Sequence, residues 1–335
     1  MNKKYKIFDY CWHIPHQWDM VRALGDDCEF TYCLNVFAHW DLSKRTLPPE
    51  INFVTHYEPW FYDVALLHID QEMVVPNSQK RMVYEHFNSV ITDIPKIVIN
   101  HGAPVNPEYY ALTEPTLSIK ESEKRCVETI RKLVGDNVMV VNSHQAASDG
   151  EWGFGVPIVH GIYANEWYDL PKEPRVFTAL PPFGLDMYYN RKCIGKVSEM
   201  LYDLYGYLLH YAQLNLDVGN TPESYKRYLG KSLLYLDTSF RTPMNRARTE
   251  AFLSGCCVIQ VEGAHDLERW AIDGRNIILV PNEPQKIAEV IADLLHGGYQ
   301  KAIQIGQKGK EMAIREFNPE RYKRDWIELL RKVTL

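Results

Sequence analysis

The sequence predicts an α/β protein of two domains, each a parallel sheet flanked by helices. Three observations carry that expectation. Apolar runs such as VALLH (64–68), IVIN (97–100) and LLYL (233–236) have the length and unbroken apolar character of strands buried on both faces. Helix-length segments such as QKRMVYEHFNSVI (79–91) lie between such runs, so strand and helix alternate. The chain of 335 residues is long enough for two domains, and ANEWYDLPKEP (164–174) has the prolines and charges of a connection. The first domain is therefore expected over 1–168 and the second from 169 onward.

Composition bounds the function. At 46% apolar and 24% charged residues the make-up is that of a globular protein. No apolar run approaches the roughly 18 residues that a membrane helix needs. The segment MNKKYKIFDYCW has no signal-peptide core, so a cytoplasmic protein is expected. Seven cysteines include no Cys-x-x-Cys pair, and an odd number cannot all be bridged, which points to reduced thiols and away from zinc. The net charge of −6 is uneven: residues 1–168 hold 14 Lys/Arg against 22 Asp/Glu, the remainder 23 against 21. An acidic first half argues against a broad polyanion-binding surface and leaves room only for a local basic groove. No internal repeat, G-x-G-x-x-G or Walker sequence is present.

In chain order, 5–11 reads as the first strand, and Pro15 opens a helix that ends near Gly25. The loop between them carries Trp12, His13, His16 and Gln17. Two histidines and an aromatic ring in one loop suit a sugar or another acceptor; in a purely structural loop they are merely solvated. Strands are expected at 29–35, 51–55, 64–68 and 97–100. His101, in INHGAPVN (99–106), follows the last of these, on the side of the sheet where α/β proteins bind ligands. A neutral imidazole there hydrogen-bonds a hydroxyl, or else it satisfies a turn. Residues 118–134 read as an amphipathic helix and 138–141 as a strand, followed by a short helix and an apolar strand. Past the connection, 175–180 is the next strand. Arg191 and Lys192 precede a helix that includes 198–204, and cations at a helix start oppose its dipole, so they suit a bound anion better than a bare surface. A final helix is opened by Asn318-Pro319 and carries Trp326, Ile327, Leu329 and Leu330.

The most informative stretch is KSLLYLDTSFRTPMNRARTEAFLSGCCVIQVEGAHDLE (231–268), which reads as strand, loop, helix, strand. Thr242 is placed as an N-cap and Pro243 at the first helical position, with Gly255 to end the helix. Such a helix, at the carboxyl end of a parallel strand, presents free N–H groups and a positive dipole end to a phosphate. Glu250, seven residues after Pro243, would lie about 10 Å further along the axis. That is the span from a nucleotide's diphosphate to its ribose, whose hydroxyls a carboxylate binds.

This stretch resembles the C-terminal half of the group-1, family-4-like retaining glycosyltransferases of GT-B fold. The likeness continues through IDGRNIILVPNEPQKIAEVIADLL (272–295) to the final helix, and holds only in outline before 231. Two positions depart from the family pattern. Thr242 stands where the family has a first glutamate, and Ala179 or Leu180 where it has an arginine after a glycine. The resemblance implies two Rossmann-like domains facing each other across a cleft: 1–168 for the acceptor, 169–317 for the nucleotide sugar, and 318–335 as a helix crossing back onto the first domain. It implies a nucleotide-diphosphate sugar as donor, UDP most readily, and transfer with retention to an acceptor hydroxyl. Donor contacts then fall on Glu250, Thr242, Pro243, Met244, Asn245 and Arg246, and acceptor contacts on Trp12, His13, His16 and Gln17. Catalytic roles fall on His101 and on Lys192 and Arg191, whose charges stabilise the departing diphosphate. No Asp-x-Asp of the metal-using GT-A transferases is present, so neither a metal nor a cofactor is expected. The acceptor stays open between a glycan or lipid precursor and a hydroxymethylated base in DNA, as in phage DNA glucosyltransferases. Six of the eight tryptophans precede residue 169 and suit stacking on a base or a sugar. A catalytically weak nucleotide-sugar binding module of the same fold and a nucleotide-sugar epimerase stay open as well.

Overall fold

The computed structural model describes residues 4–334 apart from 35–38, 43, 105–117, 181–188, 213–220 and 241–244. The chain divides into two compact units, residues 1–161 with 319–335, and residues 162–318.

The first unit runs β1 (Tyr5–Tyr10), α1 (Ile14–Leu24), β2 (Cys28–Cys33), β3 (Ile51–Val54), β4 (Val64–Ile69), α2 (Gln79–Val90), β5 (Lys96–Asn100), α3 (Ile119–Val134), β6 (Val138–Val141) and β7 (Val156–Pro157). Its seven strands pair in parallel in the order β3-β2-β1-β4-β5-β6-β7. Strand β4, VALLHI, is buried along its whole length, as expected for a central strand covered on both faces. Side chains alternate between two cores: Ile7, Phe30, Leu66 and Ile97 on one face, Phe8, Tyr10, Leu67 and Val98 on the other. Helix α1 begins where the His13 ring accepts from the His16 N–H, with Pro15 in its first turn. Helix α3 begins at a reciprocal Ser118–Glu121 capping box.

The second unit runs β8 (Glu173–Thr178), α4 (Arg191–Tyr205), β9 (Leu209–Tyr211), α5 (Pro222–Lys231), β10 (Ser232–Asp237), α6 (Arg246–Leu253), β11 (Cys257–Val261), α7 (Leu267–Trp270), β12 (Ile278–Val280), α8 (Pro284–His296) and α9 (Tyr299–Glu316). These strands are also all parallel, in the order β12-β11-β10-β8-β9. The last helix, α10 (Pro319–Val333), returns to the first unit. Its Tyr322, Trp326, Leu329 and Leu330 join the core that holds Met20 and Leu24 of α1, and Arg321 donates to the Val159 and His160 carbonyls at 2.8 and 3.1 Å.

Several expectations need correction. The division falls at 161/162 rather than 168/169 because the connecting residues pack on the second unit. Trp167 meets Tyr225 edge-on and Glu166 pairs with Lys226. Gly230 lies so close to Tyr168 that a Cβ would meet its carbonyl oxygen at 2.5 Å. Helix α6 opens at Arg246, not Pro243, and Asn245 is its N-cap, accepting from the Ala247 N–H at 3.0 Å. Thr242, Pro243 and Met244, like Asn35, 105–106 and 213–216, lie outside the described residues. Arg191 and Lys192 form the first turn of α4 rather than preceding it. Edge strand β9, helix α5 and the 18-residue helix α9 were not foreseen. All seven cysteines are free and buried.

Helix α9 reaches β11 through Gly306, where a Cβ would press into the Gly255 carbonyl and lie 3.0 Å from backbone atoms of Cys256 and Cys257. None of these backbone atoms is free to move. Gly306→Ala should therefore destabilise the second unit by about 1–3 kcal/mol. Gly195→Ala in α4, whose Cβ would meet nothing within 4 Å, should instead stabilise it by about 0.5–1 kcal/mol. Urea midpoints of the two variants should move in opposite directions; equal effects would show that α9 does not pack as described.

Candidate functional site

In the first unit the chemistry gathers at the carboxyl ends of β1, β4 and β5. Asp9 and His68 are both fully buried, and Asp9 Oδ1 lies 2.7 Å from His68 Nε2. His68 Nδ1 in turn lies 2.9 Å from His101 Nε2. The Asp9 carboxylate accepts from His68 Nε2–H, and the His68 Nδ1–His101 Nε2 contact ties the direction of one ring to the other. Burial pushes the His101 pKa well below the ordinary histidine value, helped by the nearby His68, His16, His13 and Lys80, so the ring is neutral at pH 7. The exposed His13 ring lies parallel to His101 at 5.6 Å, and buried His16 meets it edge-on at 5.2 Å.

The turn that carries His101 is held from several sides. Asn100 accepts from the Gly102 N–H at 3.0 Å, and buried Trp152 donates to the Gly102 carbonyl at 3.1 Å. A Cβ at residue 102 would strike Gln71, so glycine is required there. Trp12 stacks on His68 at 6.0 Å and takes the Lys80 ammonium over its ring at 5.2 Å. Gln17 has a different task from the one expected. It is fully buried, donates to Asp9 Oδ2 and the Tyr10 carbonyl at 3.1 and 2.9 Å, and accepts from the Trp12 N–H at 2.8 Å. Its amide thus fixes the loop that carries Trp12 and His13.

In the second unit the residues just past β10 and β12 meet the start of α4. Asn190, in the left-handed region at φ 54°, precedes α4 without a side-chain cap. Its amide instead donates to the Thr238 carbonyl at 3.1 Å and to Asn282 Oδ1 at 2.7 Å. Arg191 and the exposed Lys192 lie in the first turn of α4, at the positive end of its dipole. Fully buried Asp237, the last residue of β10, accepts from the Ser239 N–H and from Asn245 Nδ2, both at 2.9 Å. Burial pushes its carboxyl pKa up, while the Arg248 charge, Ser239 and Asn245 pull it down. Arg248, also fully buried, donates to Gln260 at 2.8 Å. Glu250 is only 5% exposed; Arg246 Nε is 2.9 Å from its Oε1, and the Tyr225 hydroxyl donates to its Oε2 at 3.1 Å. These two contacts fix the direction of the Glu250 carboxylate. Arg246 is therefore a partner of Glu250 first.

Sequence reasoning missed Asp9, His68, Asn190, Tyr225, Asp237 and Arg248. A signal existed for three of them: Asp9, His68 and Asp237 are polar residues at the ends of strands that are otherwise apolar. Among the described residues no group of three or more His, Cys, Asp or Glu side chains is arranged to hold a metal ion, and no helix is long and apolar enough to cross a membrane.

Because the folded-state pKa of His101 lies below its unfolded value, stability is fully present above the ordinary histidine pKa and is lost as pH falls below it. Replacing the ring by asparagine should flatten the fall in the first unit's urea midpoint between pH 7.5 and pH 5, a window of roughly one unit either side of about 6.5. An unchanged slope would show that His101 is not held neutral by its surroundings.

No protein-family model matches the sequence, and no curated protein sequence matches it. Solved structures do. Anabaena HepE, solved with UDP and glucose, superposes at a TM-score of 0.68 and 15% identity, over 98% of this chain and 99% of that one. Sucrose-phosphate synthase from Thermosynechococcus elongatus gives 0.65 and 14%, over 98% and 99%. A glycosyltransferase from Rickettsia africae gives 0.56 and 13%, over 99% of both chains. At such identities the likeness carries the fold: this chain has the GT-B architecture, two parallel-sheet α/β units with a terminal helix that rejoins the first.

Proposed function

We propose that the chain is a glycosyltransferase that moves a sugar from a nucleotide-diphosphate sugar to an acceptor hydroxyl, with retention and without a metal ion. The observation that carries this reading is that the second unit holds two cations in the first turn of α4 and a Glu250 carboxylate oriented by Arg246 and Tyr225. Arg191 and Lys192, at the positive end of the α4 dipole, meet the diphosphate, and Glu250 accepts from the ribose hydroxyls. The fold shared with HepE, which was solved with UDP and glucose, supports UDP as the nucleotide.

As the bond from the anomeric carbon to the diphosphate breaks, negative charge builds on the leaving oxygen, where the α4 dipole and Lys192 stabilise it. The acceptor hydroxyl bonds to the anomeric carbon from the same face, and its proton passes to the leaving phosphate oxygen. His101 accepts a hydrogen bond from a sugar hydroxyl, its ring held in direction by the contact with His68, which Asp9 anchors. Asp9 and His68 act through His101 and touch no substrate.

Glu250→Gln should weaken UDP binding by roughly 10- to 100-fold, through loss of a charge-assisted ribose contact, while the melting temperature changes little. Calorimetry decides, and unchanged affinity in the folded variant would remove Glu250 from the site. His101→Ala should lower turnover by roughly 100-fold or more with UDP affinity unchanged. A rate within about twofold of the parent would leave under about 0.5 kcal/mol of barrier to His101 and make it structural only.

A further inference from the structure

The first unit contains a cavity of about 900 Å³ that none of the residues discussed so far occupies. It opens beside the carboxyl ends of β2 and β3, between the segment that follows β3 and the outward face of α2. Leu34, Tyr57, Met82, Phe87 and Val90 form most of its wall, with His56 and His86 as its main polar groups. The volume lies in the range of small-molecule sites, which are mostly apolar with few polar groups. Among the described residues no Lys, Arg, Asp or Glu lines it, so none of them neutralises an ionic ligand.

Its shape is held in place. The loop after β3 is pinned by Asp93, which accepts from the Tyr57 hydroxyl at 2.7 Å and from the Trp60 N–H at 2.6 Å. Of the lining residues, Met82, Val90 and Leu34 remain 44%, 43% and 38% exposed. Apolar side chains left in water at one opening mark a binding surface. The inner wall adjoins the candidate site: Phe87 stacks on Tyr10 at 4.9 Å, and the Tyr10 hydroxyl accepts from the His68 N–H at 2.9 Å. Two rings therefore separate the cavity from the His68–His101 pair.

We propose that this cavity binds the hydrocarbon part of an uncharged amphiphile, whose hydroxylated head lies at the neighbouring strand ends and is the acceptor. The binding stands on the cavity alone; the role as acceptor rests on the transferase reading. A polyanionic acceptor such as DNA meets no counter-charge among the described lining residues.

Octyl β-glucoside, kept below its micelle concentration, is the probe, with methyl β-glucoside as control and calorimetry as readout. Octyl glucoside should saturate and bind at least about tenfold tighter than the methyl compound. Met82→Glu and Val90→Glu, at exposed positions of α2 where folding is not at risk, should each remove that preference and leave UDP affinity unchanged. Equal binding of the two glucosides by the parent protein, or undiminished octyl glucoside binding in both variants, would overturn the proposal. Failure of the parent protein to bind UDP would count against the transferase reading and not against the cavity.

Discussion

A parallel sheet delivers the carboxyl ends of its central strands into the interior, where a polar side chain must find partners within the protein. Each unit places a fully buried aspartate at that point, Asp9 in β1 and Asp237 in β10. A buried carboxylate is costly unless it is hydrogen-bonded or paired. Asp9 is satisfied by His68, Gln17 and the Tyr10 N–H, and Asp237 by Ser239 and Asn245, with the charge of Arg248 nearby. The groups recruited to satisfy these two carboxylates are the same ones that orient the side chains proposed for the site. Asp9 fixes His68 and, through it, His101; Asp237 fixes Asn245, which starts α6 and so sets the height of Glu250.

The two halves use buried polarity differently. In the first unit, rings hand on a hydrogen-bond direction: the chain from Asp9 through His68 ends on a neutral imidazole able to accept. In the second, backbone and charge are pre-placed. Asn190 gives up capping α4 in order to tie its start to Thr238 and Asn282, and Tyr225 and Arg246 hold the Glu250 carboxylate before any ligand arrives. Pre-orientation of this kind removes reorganisation cost at the moment charge develops.

Much of the sheet was legible in the sequence because parallel strands buried on both faces are short, apolar and bounded by turn residues; β4, β5, β6 and β10 fell close to their expected positions. Helix α5 was hidden because its polar face dominates PESYKRYLGK, and β9 because three residues carry no periodicity. The start of α6 was misread for a local reason. Thr242-Pro243 has the chemistry of a helix opening, but the tie from Asn245 to Asp237, made across eight residues, decides where the turn begins. His101 and Glu250 stood out from strand ends and helix spacing. Their supports did not, since the link between Asp9 and His68 spans 59 residues and exists only once β1 lies beside β4. Gln17 shows the reverse error: a polar residue in a promising loop that turned out to be the loop's own clamp.

The central claim is metal-free cleavage of a nucleotide-diphosphate sugar, and water standing in for the acceptor makes it measurable before the acceptor is known. The direct measurement is a phosphorus and proton NMR time course of UDP-glucose and other UDP-hexoses with the protein in excess chelator. The account predicts the appearance of UDP together with a free hexose whose first-formed anomer matches that of the donor. Intact donors in the presence of bound UDP, or cleavage only after manganese or magnesium is restored, would contradict it.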